Sequence, residues 1–240
     1  MRLITLNTWK GDGAYTKRLD AMAAALAALS PDIVTLQEVL AAPAAGYDTA
    51  AHLARSLGMS AAVLPLRHKP RLVEGRTVDS TSGLAVLSRW PIQAKRSVPL
   101  AADARDGERA ALIAGIDMQG KSITIACIHL THLSDGKELR RQQWRQVAAA
   151  LSGPGSAIVA GDFNATIGTF DLNGFTDARQ ACGAPETPTA VYETAPACID
   201  HVLAKGLTAT GWRTALGHAP PGCEAVPSDH LAVVVDFAFD

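Results

Sequence analysis

The sequence predicts an α/β fold of two packed, mixed β-sheets with helices outside, formed as a single domain over residues 1–240. Three observations lead there. Short β-branched, apolar segments recur along the whole chain, helical stretches are few, and no composition shift, repeat or low-complexity linker marks a boundary. Strand-like segments from 83 to 129 follow one another without a helix, so the middle is antiparallel, whereas the flanks alternate strand, helix and strand. One continuous parallel sheet does not fit that order.

Taken in order, residues 2–7 (RLITLN) alternate as a strand, and 17–29 form an Ala-rich helix ended by Ser30-Pro31. A strand follows at 32–37, then a helix over 49–57 stopped by Gly58. Strands are expected at 61–66, 83–88, 92–100, 110–118 and 122–129. Over 135–151, Leu139, Trp144, Val147 and Leu151 keep helical spacing with Arg and Gln on the other face, and Ser134 is a suitable N-cap. The segment 156–160 (SAIVA) is a strand from which Gly161 lets the backbone turn, and strands at 199–204 and 231–237 complete the set.

Composition narrows the function classes. Hydrophobic residues make up 48% of the chain and charged ones 19%, ample for a large core. The net charge of −1 argues against a broad electrostatic grip on nucleic acid, though a local basic patch survives it. The first residues are an alternating strand rather than a secretory leader, and no apolar run is long enough to span a membrane. Cys127, Cys182, Cys198 and Cys223 show no CxxC pairing, which disfavours structural zinc; reduced thiols in the cytoplasm, and a monomer without an obligate protein partner, are the expectation.

Polar residues that strand patterning does not require stand at strand ends. Asn7 closes the first strand, Glu38 follows DIVTLQ, and His129 closes SITIACIH. Asp162 and Asn164 follow AIVAG, with Phe163 between them pointing to the core. Asp200 sits in CIDHVL, and Asp229-His230 precede the last strand. Each has an ordinary structural explanation, as a turn or a cap. Together, charged and amide groups beside buried strands are unfavourable unless something satisfies them, and a hard divalent cation would. The oxygen donors Glu38, Asp229 and Asn7 suit Mg²⁺ or Mn²⁺ better than zinc. Two histidines beside such an ion point to phosphoester chemistry, with Asp200 as partner of His230.

The ordered set TLNTW, DIVTLQEV, SGLAVLSRWPI, IHLTH, AGDFNA, CIDHVL and PSDHLAVVVDF covers nearly the full chain and resembles the endonuclease/exonuclease/phosphatase superfamily with the DNase I-like fold. The resemblance implies a four-layer α/β sandwich and Mg²⁺- or Mn²⁺-dependent hydrolysis of a phosphoester, nucleic acid among the candidates. Carried over, Glu38 is the principal metal ligand with Asn7 beside it. Asp162 orients or deprotonates the attacking water, and Asn164 hydrogen-bonds the phosphate or that water. His129 and His230 contact non-bridging oxygens, Asp200 pairs with His230, and Asp229 completes the metal or water shell. A phosphatase or a sphingomyelinase-like phospholipase C is the alternative activity. A non-catalytic scaffold is disfavoured because every expected position is filled. The chain departs from abasic-site endonucleases, which carry Tyr and Pro-Asn where it has CIHLTHLS, and from tyrosyl-DNA phosphodiesterases, which favour Thr where Phe163 stands.

Softer candidates remain. His132 is a second phosphate contact or, more simply, a loop histidine, and zinc at His129 and His132 lacks a third ligand at useful spacing. His201 faces away from Asp200 along the strand. The basic stretch 67–76 (RHKPRLVEGR) either reaches over the cleft to a substrate phosphate or is a solvated loop. Arg109 lines the same cleft on weaker grounds, Arg140 is a structural contact, and Trp9 and Trp212 either stack a base or pack against the body.

Overall fold

Along β1 (Arg2–Asn7), Leu3 and Thr5 face one side and Ile4 and Leu6 the other, and all four are buried. A strand apolar on both faces needs a layer on each side. The computed structural model, which describes residues 1–190 and 196–238, supplies both.

The elements that follow are α1 (Tyr15–Leu29), β2 (Ile33–Ala42), β3 (Tyr47–Asp48), α2 (Thr49–Leu57), β4 (Ser60–Leu64), β5 (Lys69–Val73), β6 (Arg76–Ser88), β7 (Ile92–Pro99), β8 (Ala110–Met118) and β9 (Lys121–His129). The second half adds α3 (Lys137–Ala150), β10 (Ser156–Asp162), β11 (Thr176–Asp177), α4 (Ala178–Ala181), β12 (Asp200–Lys205), β13 (Thr208–Ala215) and β14 (Ala232–Ala238). They build an eight-stranded sheet, ordered β13-β14-β1-β2-β6-β4 with β3 on β2 and β5 on β6, and a six-stranded sheet ordered β11-β12-β10-β9-β8-β7.

Each sheet has one parallel pair at its centre, β1 with β2 and β9 with β10, flanked by antiparallel neighbours. Each pair is joined through a crossover helix, α1 in the first sheet and α3 in the second, because parallel strands need a long connection. The carboxyl ends of both pairs therefore run out on the same side.

Three apolar layers hold the stack together. Ile4, Leu6, Leu36 and Val234 pack against Met22 and Leu26 of α1 and Leu53 of α2. Leu3, Ile33, Val86 and Val233 meet Ile125, Cys127, Ile158 and Val202 between the sheets. Ile128, Val159 and Leu203 pack against Trp144 and Val147 of α3. Burying one such side chain contributes about 1.5–3 kcal/mol. The result is helix, sheet, sheet, helix: the four-layer α/β sandwich with two mixed sheets.

Local chemistry explains the helix limits. Asp48 caps α2 by accepting the Ala51 N–H at 2.9 Å, and Gly58 ends it in the left-handed region. Ser30, at φ 49°, ends α1 before Pro31. α3 differs from expectation: it starts at Lys137 with Gly136 at the N-cap and no side-chain cap, so Ser134 does not play that role. β13 was not anticipated, since TATGWRTA is an edge strand without apolar alternation whose register slips between Ala209 and Gly211. The stretch 67–76 is not a loop either, because most of it pairs with β6 as the hairpin strand β5.

Candidate active site

The carboxyl ends of the two parallel pairs open into a cleft of about 680 Å³ lined by residues from both sheets. Asn7 is in register with Gln37 at the end of the first pair, and Asp162 with His129 at the end of the second. Asn7, Asp162 and His129 all continue the alternation that points side chains between the sheets, so they meet at the rim. The Asn7 amide closes that seam by donating from Nδ2 to Asp162 Oδ2 at 3.1 Å. Its Oδ1 accepts the Trp9 N–H at 3.0 Å.

Glu38 reaches the cleft differently. Gln37 already faces the inter-sheet side, where it bonds Thr5 and the Cys127 sulfur, so regular alternation would turn Glu38 away. The register of β2 against β6 slips between Leu36 and Val39, and Glu38 sits at φ 56° in the slip. The bulge re-aims its carboxylate into the cleft, where Lys10 meets it at 2.9 Å.

Asp162 is almost fully enclosed. Its Oδ1 accepts the Asn164 N–H at 2.8 Å, and His129 Nε2 lies 3.4 Å from Oδ2. Burial, reinforced by the charge of Asp200 beside it in the ladder, pushes its carboxyl up to about 7. Phe163 points outward into the core under α3, its ring tilted against Trp144 at a centroid distance of 5.8 Å. Asn164, at φ 50°, returns to the cleft, with its amide Nδ2 donating to the Leu130 carbonyl.

His230 precedes β14 and is backed by Asp200, whose Oδ2 lies 2.8 Å from Nδ1. Asp200 itself does not line the cleft; it stands behind the imidazole. Burial alone would depress His230, but Asp200, Asp162 and Asp229 outweigh it and raise the ring to about 10. His230 is therefore an imidazolium at neutral pH. His129 is the opposite case: burial, then Arg109 and Lys10, hold it well below the ordinary histidine value. The surroundings thus favour a charged ring at His230 and a neutral one at His129.

The residues able to hold a cation fall in two groups. Asp162, Asp200 and His230 have ligand atoms within 4.8 Å of one another. There His230 Nδ1 is committed to Asp200, which makes the trio a proton-handling pair beside a carboxylate. Among the described residues, Asp200 Oδ1 is buried without a hydrogen-bond partner. Glu38 and Asp229 form the other group. Burial, and the repulsion of Glu38, raise the Asp229 carboxyl. Two carboxylates that repel across a wet cleft, with an amide oxygen nearby, are a donor set that a hard divalent ion fits.

Several supporting residues had no sequence signal. Arg18 of α1 is buried and donates to the carbonyls of Thr8, Trp9, Lys10, Asp12 and Pro227. It ties the loop carrying Lys10 to the loop carrying Asp229. Asp106, in a stretch that reads as polar loop, is fully buried and takes two bonds from Arg109. Lys10 lies three residues after Asn7, within NTWKGDG, the one place where a signal was present.

The remaining candidates separate cleanly. His132 lines the cleft with Nδ1 at 2.8 Å from Asp106, and Arg67, Lys69, Arg71 and Arg109 line it too. His201 packs edge-on to Phe163 and its Nε2 bonds the Ala165 carbonyl, away from the site. Arg140 donates to the carbonyls of Thr131 and Leu133, a structural contact. Trp212 packs into the inter-sheet core, whereas Trp9 lies at the cleft with the Arg18 guanidinium 4.7 Å from its ring. Among the described residues, ten non-glycine residues have positive φ, and Trp9, Lys10, Glu38, Arg67 and Asn164 of these line the cleft, so strained backbone concentrates there.

A sequence profile of the Endonuclease/Exonuclease/phosphatase family matches residues 4–230. The chain belongs to that family. Solved structures agree with it in fold. An endonuclease/exonuclease/phosphatase from Beutenbergia cavernae is 22% identical, with a TM-score of 0.76 over 99% of this chain and 71% of that one. TDP2 from C. elegans is 17% identical, with a TM-score of 0.77 over 98% and 74%. The human Nocturnin catalytic domain, solved with a bound sulfate anion, is 22% identical, with a TM-score of 0.74 over 100% and 94%. No curated protein sequence matches significantly. Among the described residues, no helix of this family member is long and apolar enough to cross a membrane.

Proposed function

We propose that this family member is a Mg²⁺- or Mn²⁺-dependent phosphoester hydrolase in which an activated water attacks phosphorus in line. The observation that carries the reading is one buried carboxylate, Asp162, held by Asn7 and Asn164 beside a charged histidine, in a cleft that also gathers Glu38 and Asp229. Glu38 and Asp229 would hold the ion, with the free lone pair of Asn7 Oδ1 beside them. The ion would supply charge neutralisation at the phosphate.

The chain's own groups do the rest. Asp162, raised to about 7, is poised to take a proton from water near neutral pH. Asn7 and Asn164 fix its two oxygens, so the accepting lone pair has one direction. His230 offers Nε2–H as a charged donor to a non-bridging oxygen, because Asp200 occupies Nδ1 and keeps the ring protonated. His129 contributes a neutral donor from the other sheet. Donors already aimed at the developing charge need no reorganisation during the reaction.

Hydrolysis of bis-p-nitrophenyl phosphate tests this. Turnover is expected with Mg²⁺ or Mn²⁺ and none with EDTA, and Glu38→Gln is expected to weaken the metal response. Equal turnover in EDTA would overturn the reading.

A further inference from the structure

The proposed reaction leaves one wall of the cleft unused. Arg67, Lys69 and Arg71, from the basic stretch on and beside β5, face the cleft together with Arg109 and His132. Glu108 is the carboxylate that lines that side, and Asp106 is buried behind it. Asp106 is shared among Arg109, which it holds through two hydrogen bonds, Arg67 at 3.6 Å and His132 at 2.8 Å. Among the described residues Lys69 and Arg71 form no close ion pair, and Glu38 and Asp12 act on Arg71 only across the cleft. The wall thus carries more cations than carboxylates, and the reacting end, with Asp12, Glu38, Asp162 and Asp229 against Lys10 and His230, carries the reverse. A substrate with a single phosphate at the reacting end leaves this excess unmatched.

The wall is also built in advance. The Arg71 guanidinium donates to the Ser80 carbonyl at 3.1 Å, the Ser80 hydroxyl at 2.9 Å and the Arg67 carbonyl at 2.9 Å. These bonds lock the hairpin backbone that carries Arg67 and Lys69, whose side chains remain partly or largely exposed. Asp106 is fully buried beneath, so Arg109 and His132 are held from behind. Cations fixed before binding recognise an anion with little ordering cost.

We propose that this wall binds a second phosphate group of the substrate, so that the preferred ligand is a small molecule carrying two phosphates; this rests on the hydrolase reading for which phosphate reacts. The cleft volume of about 680 Å³ suits a ligand of that size. A net charge of −1 does not suit a long polyanion, which needs a broad basic surface.

Calorimetry of the whole chain with Mg²⁺ compares thymidine 3′,5′-bisphosphate with thymidine 5′-monophosphate. The bisphosphate is expected to bind at least about 10-fold tighter, the scale of charge-assisted hydrogen bonds. In Arg67→Gln/Lys69→Gln, which keeps both Arg109 hydrogen bonds to the buried Asp106, the preference is expected to fall below about threefold. Equal binding of the two ligands, or an undiminished preference in the variant, overturns the proposal. Turnover of the p-nitrophenyl ester of thymidine 5′-phosphate, with and without a 3′-phosphate, separates the two claims. If neither ester is cleaved but the binding preference stands, the hydrolase reading fails and the second-phosphate site survives. Thymidine oligonucleotides form the last arm: affinity that keeps rising with each nucleotide beyond the second phosphate identifies a polymer and overturns the small-molecule assignment.

Discussion

Asp200→Asn isolates a charge without changing a shape. Asp200 Oδ2 holds His230 Nδ1 at 2.8 Å, and among the described residues Oδ1 has no hydrogen-bond partner to lose. His230 is raised from 6.5 to about 10 against the opposing effect of burial, and that shift corresponds to about 5 kcal/mol in favour of the imidazolium. An amide at position 200 still bonds the ring but removes the strongest influence favouring the charged form, while Asp162 and Asp229 remain, so the ring falls toward its ordinary value. A ring at that ordinary value is roughly 3% protonated at pH 8. If the imidazolium is the donor to the phosphate, kcat at pH 8 falls by up to about 30-fold, and the deficit shrinks as the assay is moved toward pH 6. Steady-state kcat from pH 6 to 9, beside the NMR titration of the His230 ring proton, measures both parts. A variant that folds normally and stays within threefold of the parent at pH 8, or whose deficit is the same at every pH, refutes the reasoning.

Other perturbations test the frame around the site. Gly161 sits at φ 149° with β9 so close that an added Cβ would collide with the Ile128 carbonyl; Gly161→Ala is expected to lower stability by about 3 kcal/mol or more in denaturant unfolding, and a loss under about 1 kcal/mol contradicts the close approach. Trp144 is buried among Phe163, Phe170 and Phe175 and its Nε1–H donates to the Asp171 carbonyl, so Trp144→Ala should cost about 3–5 kcal/mol in the same assay. Burial would raise the Asp106 carboxyl, but its bonds from Arg109 and Thr131 prevail and hold it below the ordinary value. A group depressed in the folded state adds stability above its unfolded pKa and loses it as pH falls through the folded one. The Tm gap between parent and Asp106→Asn is therefore expected to be large at pH 7 and to close below about pH 4; a gap constant between pH 3 and pH 7 is the contrary result.

Strand ends were the most legible part of the sequence, because alternation decides which side chain faces inward and the chemistry sits where that alternation stops. Asp162 beside Phe163 illustrates it: one enters the cleft, the other the core beneath Trp144. Glu38 was found by its place after a strand, but its direction depends on a bulge that no local pattern encodes. Asn7 was expected beside the metal through its oxygen; its NH₂ group also bonds Asp162, 155 positions away, a pairing visible only once the sheets are stacked. Asp106 and Arg18 escaped notice for the same reason, since a charged residue looks solvated until the fold closes over it. β13 was missed because Trp212 stands alone among Thr, Ala, Gly and Arg and the segment carries no apolar alternation.

The crowding of left-handed backbone around the cleft sets a limit on improving this protein. Glycine at Trp9, Lys10, Glu38, Arg67 or Asn164 would relieve about 1 kcal/mol or more of local distortion. Every such exchange also removes a side chain from the cleft wall. Selection for heat resistance alone would be drawn to these five positions and would erode turnover as it succeeded, so robustness has to be sought in the outer layers instead.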